Sequence, residues 1–148
     1  MLKIYLYSNP NKLYQKLISF LFNTKYYHIE YELEFCEENY FLRSYYDGNF
    51  VSNEYLSYLV KDTDIYYIDI TKEQSKKILE YFIKVNNTKY NYKDILKWFF
   101  YYKILKKDIN YFKNNNKINK YNCFNHFINI DNIIKNKKIF NIIEKEIL

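Results

Sequence analysis

Alanine is absent from this chain of 148 residues, and glycine, proline, methionine and tryptophan occur once each. Arg43 is the sole arginine, so nearly all positive charge is lysine. Ala, Gly, Pro and most Arg codons are GC-rich. Lys, Asn, Ile, Tyr and Phe, which abound here, have AT-rich ones. This imbalance points to an AT-rich viral or microbial genome and carries little functional meaning. The two cysteines, Cys36 and Cys123, are too few for a disulfide framework. No run approaches the roughly 18 apolar residues that a membrane span needs. The start, MLKIYLYSNP, is too short and too polar for the apolar core of a signal peptide. A reducing, cytoplasmic setting is the expectation.

What is present describes one folded domain over 1–148. Hydrophobic residues make up 49% and charged residues 27%, with 20 Tyr and 12 Phe. A chain of this length can bury roughly 70% of the surface its unfolded form exposes. The net charge of +6 could serve an acidic partner. Bidentate recognition of phosphate or guanine prefers arginine, however, and the lysines are scattered. Nucleic acid is therefore not the expected partner.

Residues 2–7 alternate, with Leu2, Ile4 and Leu6 on one face and Lys3, Tyr5 and Tyr7 on the other, as a strand does. Asn9-Pro10 reads as a helix start, and Leu13, Leu17 and Leu21 repeat at i+4, so an amphipathic helix is expected over 10–22. Over 26–35, Tyr27, Ile29, Tyr31, Leu33 and Phe35 alternate with Tyr26, His28, Glu30, Glu32 and Glu34. A turn at Cys36–Asn39 and a strand over 40–46 complete a hairpin. Asp47-Gly48 is a further turn signal, followed by a short strand at 49–52. Residues 64–70 read as a strand. Thr71 and Gln74 form a capping box for a helix over 72–85, with Ile78, Leu79, Phe82 and Ile83 as its apolar face. A helix over 93–105, with Trp98 inward, and a Lys/Asn-rich loop over 106–120 follow. Asn122 is placed to cap a helix over 123–135 that buries Phe124, Phe127, Ile128 and Ile134. A last short helix is expected at 138–146.

Two segments carry chemistry: Tyr27-His28-Ile29-Glu30 and Tyr121-Asn122-Cys123-Phe124. A cysteine nucleophile attacks as the thiolate, and a helix N-terminus favours that charge. A neighbouring imidazole pairs with the thiolate and later protonates the leaving group. Cys123 meets the first need and His28 the second. Glu30 shares the His28 face of the strand and is a candidate to orient the ring. That reading has the Cys123 helix pack on the His28 face. Adjacent i, i+2 side chains are not ideally placed for direct ring contact, so Ser44 on the paired strand is the substitute. Tyr5 and Tyr92 are weaker candidates for contacting substrate.

The order of these pieces resembles the circularly permuted branch of the papain-like (NlpC-type) cysteine hydrolases of bacteria, phages and poxviruses. The matching pieces are Tyr27-His28-Ile29-Glu30, Ser44 with Asp47-Gly48, Tyr90-Asn91-Tyr92 and Tyr121-Asn122-Cys123. They cover most of residues 1–130. The resemblance implies an α+β fold, a small antiparallel sheet packed against helices with the nucleophile helix late in the chain. It implies Cys123 as nucleophile and His28 as base, acting on a peptide, amide or ester carbonyl without metal or organic cofactor. For a viral protein the setting would be the host-cell cytoplasm. Many relatives carry Cys-Ser-Glu where this chain has Cys123-Phe124-Asn125.

Plainer readings stand beside this one. Cys123 could be a small buried hydrophobe. His28, Cys36, Cys123 and His126 could be drawn as a zinc set, although the spacing of 28 and 36 fits no common site. His126 reads as a surface or satisfied helix residue. A catalytically decayed binding module with a basic surface is the alternative to an enzyme.

Overall fold

The computed structural model describes residues 1–22, 25–45, 47–54, 62–91, 93, 120–121 and 123–135. They form an α+β arrangement. The strands are β1 (Leu2–Tyr7), β2 (His28–Phe35), β3 (Glu38–Tyr45), β4 (Gly48–Ser52) and β5 (Thr63–Ile68). They make one antiparallel sheet in the order β4-β3-β2-β1-β5, which puts β2 in the middle. Three helices accompany it: α1 (Leu13–Phe22), α2 (Lys72–Val85) and α3 (Cys123–Ile134). A small parallel pair joins β6 (Lys89–Tyr90) to β7 (Lys120–Tyr121).

Alternation decides the faces of the sheet. Leu2, Ile4, Leu6, Ile29, Tyr31, Leu33, Leu42 and Ile68 point to one side and are buried under α2 and α3. On α3, Cys123, Phe127, Ile130 and Ile134 recur at i, i+4, i+7 and i+11, a single stripe facing this core. On α2 the buried set is Ser75, Ile78, Phe82 and Val85. Each fully buried Leu, Ile or Phe here contributes about 1.5–3 kcal/mol relative to exposure. Gln74 Nε2 donates to the Ile134 carbonyl at 2.9 Å and ties the start of α2 to the end of α3. The other side of the sheet is different in kind. It carries Tyr5 and Tyr7 with the buried charges of Glu30, Glu32 and Arg43.

Several local expectations need correction. The helix expected from Pro10 starts at Leu13, because Asn9 adopts a left-handed φ of 59° and its amide bonds to Asp62. The N-terminal N–H groups of Asn11 and Lys12 are satisfied instead by Gln15 Oε1, at 3.0 Å each. The β2–β3 turn is shorter than expected. Cys36 and Glu37, at φ 52° and 66°, form a two-residue turn with both φ values positive, and β3 begins at once at Glu38. Ile83, expected on the buried face of α2, is 66% exposed, and Val85 takes its place. On α3, Ile128 is only partly buried and Ile130 is fully buried. The helices expected at 93–105 and 138–146 and the loop expected over 106–120 lie outside the described residues, save Lys93 and Lys120, and Lys120 is in β7 rather than in a loop.

Gly48 opens β4, paired with Tyr45, rather than sitting in the turn. A side-chain carbon there would meet the Thr88 carbonyl oxygen at 2.9 Å. That oxygen already accepts from the Asn49 N–H at 2.9 Å, so it cannot retreat without breaking the link between β4 and the end of α2. Gly48→Ala is therefore expected to lower stability by about 1–3 kcal/mol, as overpacking against fixed backbone does. Urea denaturation measures it.

Candidate active site

The central strand β2 begins at His28, and α3 begins at Cys123. Their side chains come together, and the Cys123 sulfur is among the groups that raise the pKa of the His28 ring. Its Nε2 lies 3.2 Å from Glu30 Oε1. Burial alone would pull the imidazole down. The neighbouring Cys123 and Glu30 side chains outweigh it, and His28 is pushed up to about 10. The ring is thus an imidazolium at neutral pH, held between a sulfur and a carboxylate.

The approach differs from the sequence expectation. α3 does not pack on the His28–Glu30 face. It packs on the opposite one, where the Tyr31 hydroxyl donates to the Cys123 carbonyl at 2.7 Å. Contact is still made because His28 is the first residue of β2, and the pair meets at the end of the sheet. Regular alternation also starts only there. Tyr26 lies in the main core and Tyr27 packs with Tyr5 and Tyr7, the reverse of the expected faces.

Glu30 is 3% exposed and each of its oxygens has work. Oε1 faces His28. Oε2 accepts from the Tyr7 hydroxyl at 3.0 Å and has an ion-pair contact with Arg43 Nε at 3.5 Å. Arg43 is held in turn by Nη1 donating to Ser52 Oγ at 2.8 Å and Nη2 to the Glu54 carbonyl at 3.1 Å. Its guanidinium also lies over the Phe41 ring, 5.0 Å from the centroid. Tyr7 is the register partner of His28, and the two rings lie 5.6 Å apart. The i, i+2 geometry that made Glu30 doubtful as a direct contact is thus overcome by fixing the carboxylate from its far side.

The other candidates fall elsewhere. Tyr5 is on the sheet face opposite α3, and its hydroxyl donates to Glu32 Oε2, whose Oε1 takes Lys3 Nζ at 2.7 Å. Ser44 is buried on the α3 side and donates to Asn49 Oδ1 at 2.6 Å. Tyr92 and Asn122 lie outside the described residues. Sulfur access is limited: Cys123 is 2% exposed, whereas the His28 side chain keeps 19%, so solvent reaches the pair from the histidine side.

One residue three positions after Cys123 has a clear structural role. His126 is fully buried, and burial together with the charge of His28 lowers it to about 3. Neutral, its Nε2–H donates to Asn49 Oδ1 at 2.9 Å and its Nδ1 accepts from the Tyr81 hydroxyl at 2.7 Å. That pins α3 to β4 and α2 one turn below the sulfur. Among the described residues no group of three or more His, Cys, Asp or Glu side chains is assembled to hold a metal. Cys36, one member of the imagined zinc set, is exposed in the β2–β3 turn.

Sequence reasoning missed Tyr7, Arg43 and Tyr31. The available signal was Arg43 itself, the one arginine in a chain whose composition disfavours it. Comparison with protein-family models, curated proteins and solved structures finds no match.

Removing the buried cation beside Glu30 should be costly. Arg43→Met is expected to lower stability by about 3 kcal/mol or more, and adding Glu30→Gln should give back a large part of it. Denaturant unfolding of the two single variants and the double variant checks this. Additive losses would separate Arg43 from Glu30.

Proposed function

We propose that this chain is a cysteine hydrolase of the permuted papain-like kind, acting on an amide or ester carbonyl. The observation that carries this reading is the His28 ring set beside Cys123 and bonded to Glu30. The Cys123 sulfur attacks the carbonyl carbon. The backbone N–H of Cys123, in the first turn of α3, is available to the oxyanion. As the tetrahedral adduct collapses, the His28 imidazolium gives its proton to the leaving nitrogen or oxygen, and an acyl-thioester remains on Cys123. The neutral ring then takes a proton from water, which attacks the thioester and restores the sulfur. Transfer to another acceptor in place of water would make the same site an acyltransferase. Glu30 orients the ring and stabilises its charge, and Tyr7 and Arg43 hold Glu30 in place.

The burial of Cys123 favours a second reading, in which the site has decayed and the fold serves as a binding module. Among the described residues no helix is long and apolar enough to cross a membrane. A cytoplasmic setting belongs to the same proposal.

Labelling with electrophilic acyl probes of varied side chain separates the two readings. In the hydrolase, mass spectrometry finds the adduct on Cys123, with exposed Cys36 as internal reference. Labelling is lost in Cys123→Ala and falls by about a hundredfold or more in His28→Gln. If Cys123 reacts no faster than Cys36, or if His28→Gln reacts as the parent does, the binding-module reading replaces the enzyme.

A further inference from the structure

Helix α1 is rolled the wrong way for a helix at the surface of a soluble domain. Leu13, Leu17 and Phe20 recur at i, i+4 and i+7 and share one side, with Tyr14 beside them. That side faces outward: the four residues are 85%, 52%, 81% and 57% exposed in the order Leu13, Leu17, Phe20, Tyr14. The inward side carries Gln15, Ile18 and Ser19, all partly buried. The Ser19 hydroxyl is buried with no hydrogen-bond partner among the described residues. Ordinary packing would put the leucines in and the serine out. An apolar stripe kept outward, with a hydroxyl left unsatisfied beneath it, marks a face that something else covers.

Charge selects the cover. Lys12 and Lys16 are exposed and border the stripe on one side. The first acidic residue of the chain is Glu30; the 29 residues before it contain four lysines and no Asp or Glu. Among the described residues, the acids bonded to the segments flanking α1 are Asp62 and Asp64. Asp64 is engaged by Lys25 at 2.9 Å, and Asp62 accepts from Asn9 at 3.0 Å. Leu, Phe and Tyr on one face with lysine along its border is the pattern of a helix lying in the headgroup region of an anionic bilayer. We infer that the outward face of α1 docks this protein on an anionic membrane surface. Because α1 joins Tyr7 to His28, docking sets the His28 end of the sheet beside the bilayer. The inference does not depend on the proposed reaction.

Co-sedimentation of the full chain with vesicles tests it. The parent is expected to pellet with phosphatidylcholine vesicles containing about one-third phosphatidylserine, and far less with pure phosphatidylcholine. Leu17→Gln with Phe20→Gln should weaken binding about tenfold or more while leaving circular dichroism and thermal unfolding unchanged, since both side chains are exposed. Lys12→Gln with Lys16→Gln should weaken it about tenfold. Lys72→Gln with Lys76→Gln, the same charge removed from the exposed surface of α2, should weaken it by about threefold at most. A parent that stays in the supernatant overturns the inference. So does equal loss in the two lysine pairs, which reduces the effect to net charge. So does a parent that self-associates through Leu17 and Phe20 in sedimentation velocity and whose vesicle binding is indifferent to them.

Discussion

The arrangement depends on one imidazole placed between two acids of different kinds. His28 meets a sulfur on one side and a carboxylate on the other, and it stands where the central strand ends. Burial works against charging the ring, and the neighbouring Cys123 and Glu30 side chains reverse that. The physical cost of a buried imidazolium is offset only while both partners stay in place. Much of the surrounding structure can be understood as keeping them there. Tyr31 and His126 anchor the first two turns of α3 from the core side. Tyr7 and Arg43 anchor Glu30 from the other side of the sheet.

The two histidines show how environment alone separates identical groups. His28 has acids beside it and is pushed up to about 10. His126 is buried among a tyrosine, an asparagine and hydrocarbon, feels the charge of His28, and is driven down to about 3. At neutral pH one ring carries a second proton and the other carries only one. The neutral ring can therefore accept from Tyr81 and donate to Asn49 at once, which a charged ring could not do. Charge at the site and neutrality one helical turn away are parts of the same design.

What the sequence made legible was local. The alternation of β1 and β2, the capping box at Thr71 and the late helix at Cys123 are patterns carried by neighbouring residues, and they reappear in the structure. So do the two ends of the candidate site, since each is defined within four residues. Relations across the chain were not legible. The face that α3 covers was misjudged because alternation fails at Tyr26 and Tyr27, before the strand proper. The register that brings Tyr7 against His28 is set across a helical connection with no tight turn to count from. Arg43 reaches Glu30 from a strand whose pairing depends on a two-residue turn made by Cys36 and Glu37, neither of which advertises positive φ. The roll of α1 contradicts its own hydrophobic pattern, and no amount of pattern reading would reveal that.

The central claim is that the Cys123 sulfur and Glu30 together hold a proton on His28. Nitrogen-detected NMR titration of the His28 ring, in the parent and in Cys123→Ala, tests this directly. The parent ring should remain protonated through pH 8 and release its proton near pH 10, and in Cys123→Ala release should move down by about one pH unit or more. A ring already neutral at pH 7 in the parent, or the same titration in both proteins, would contradict the account.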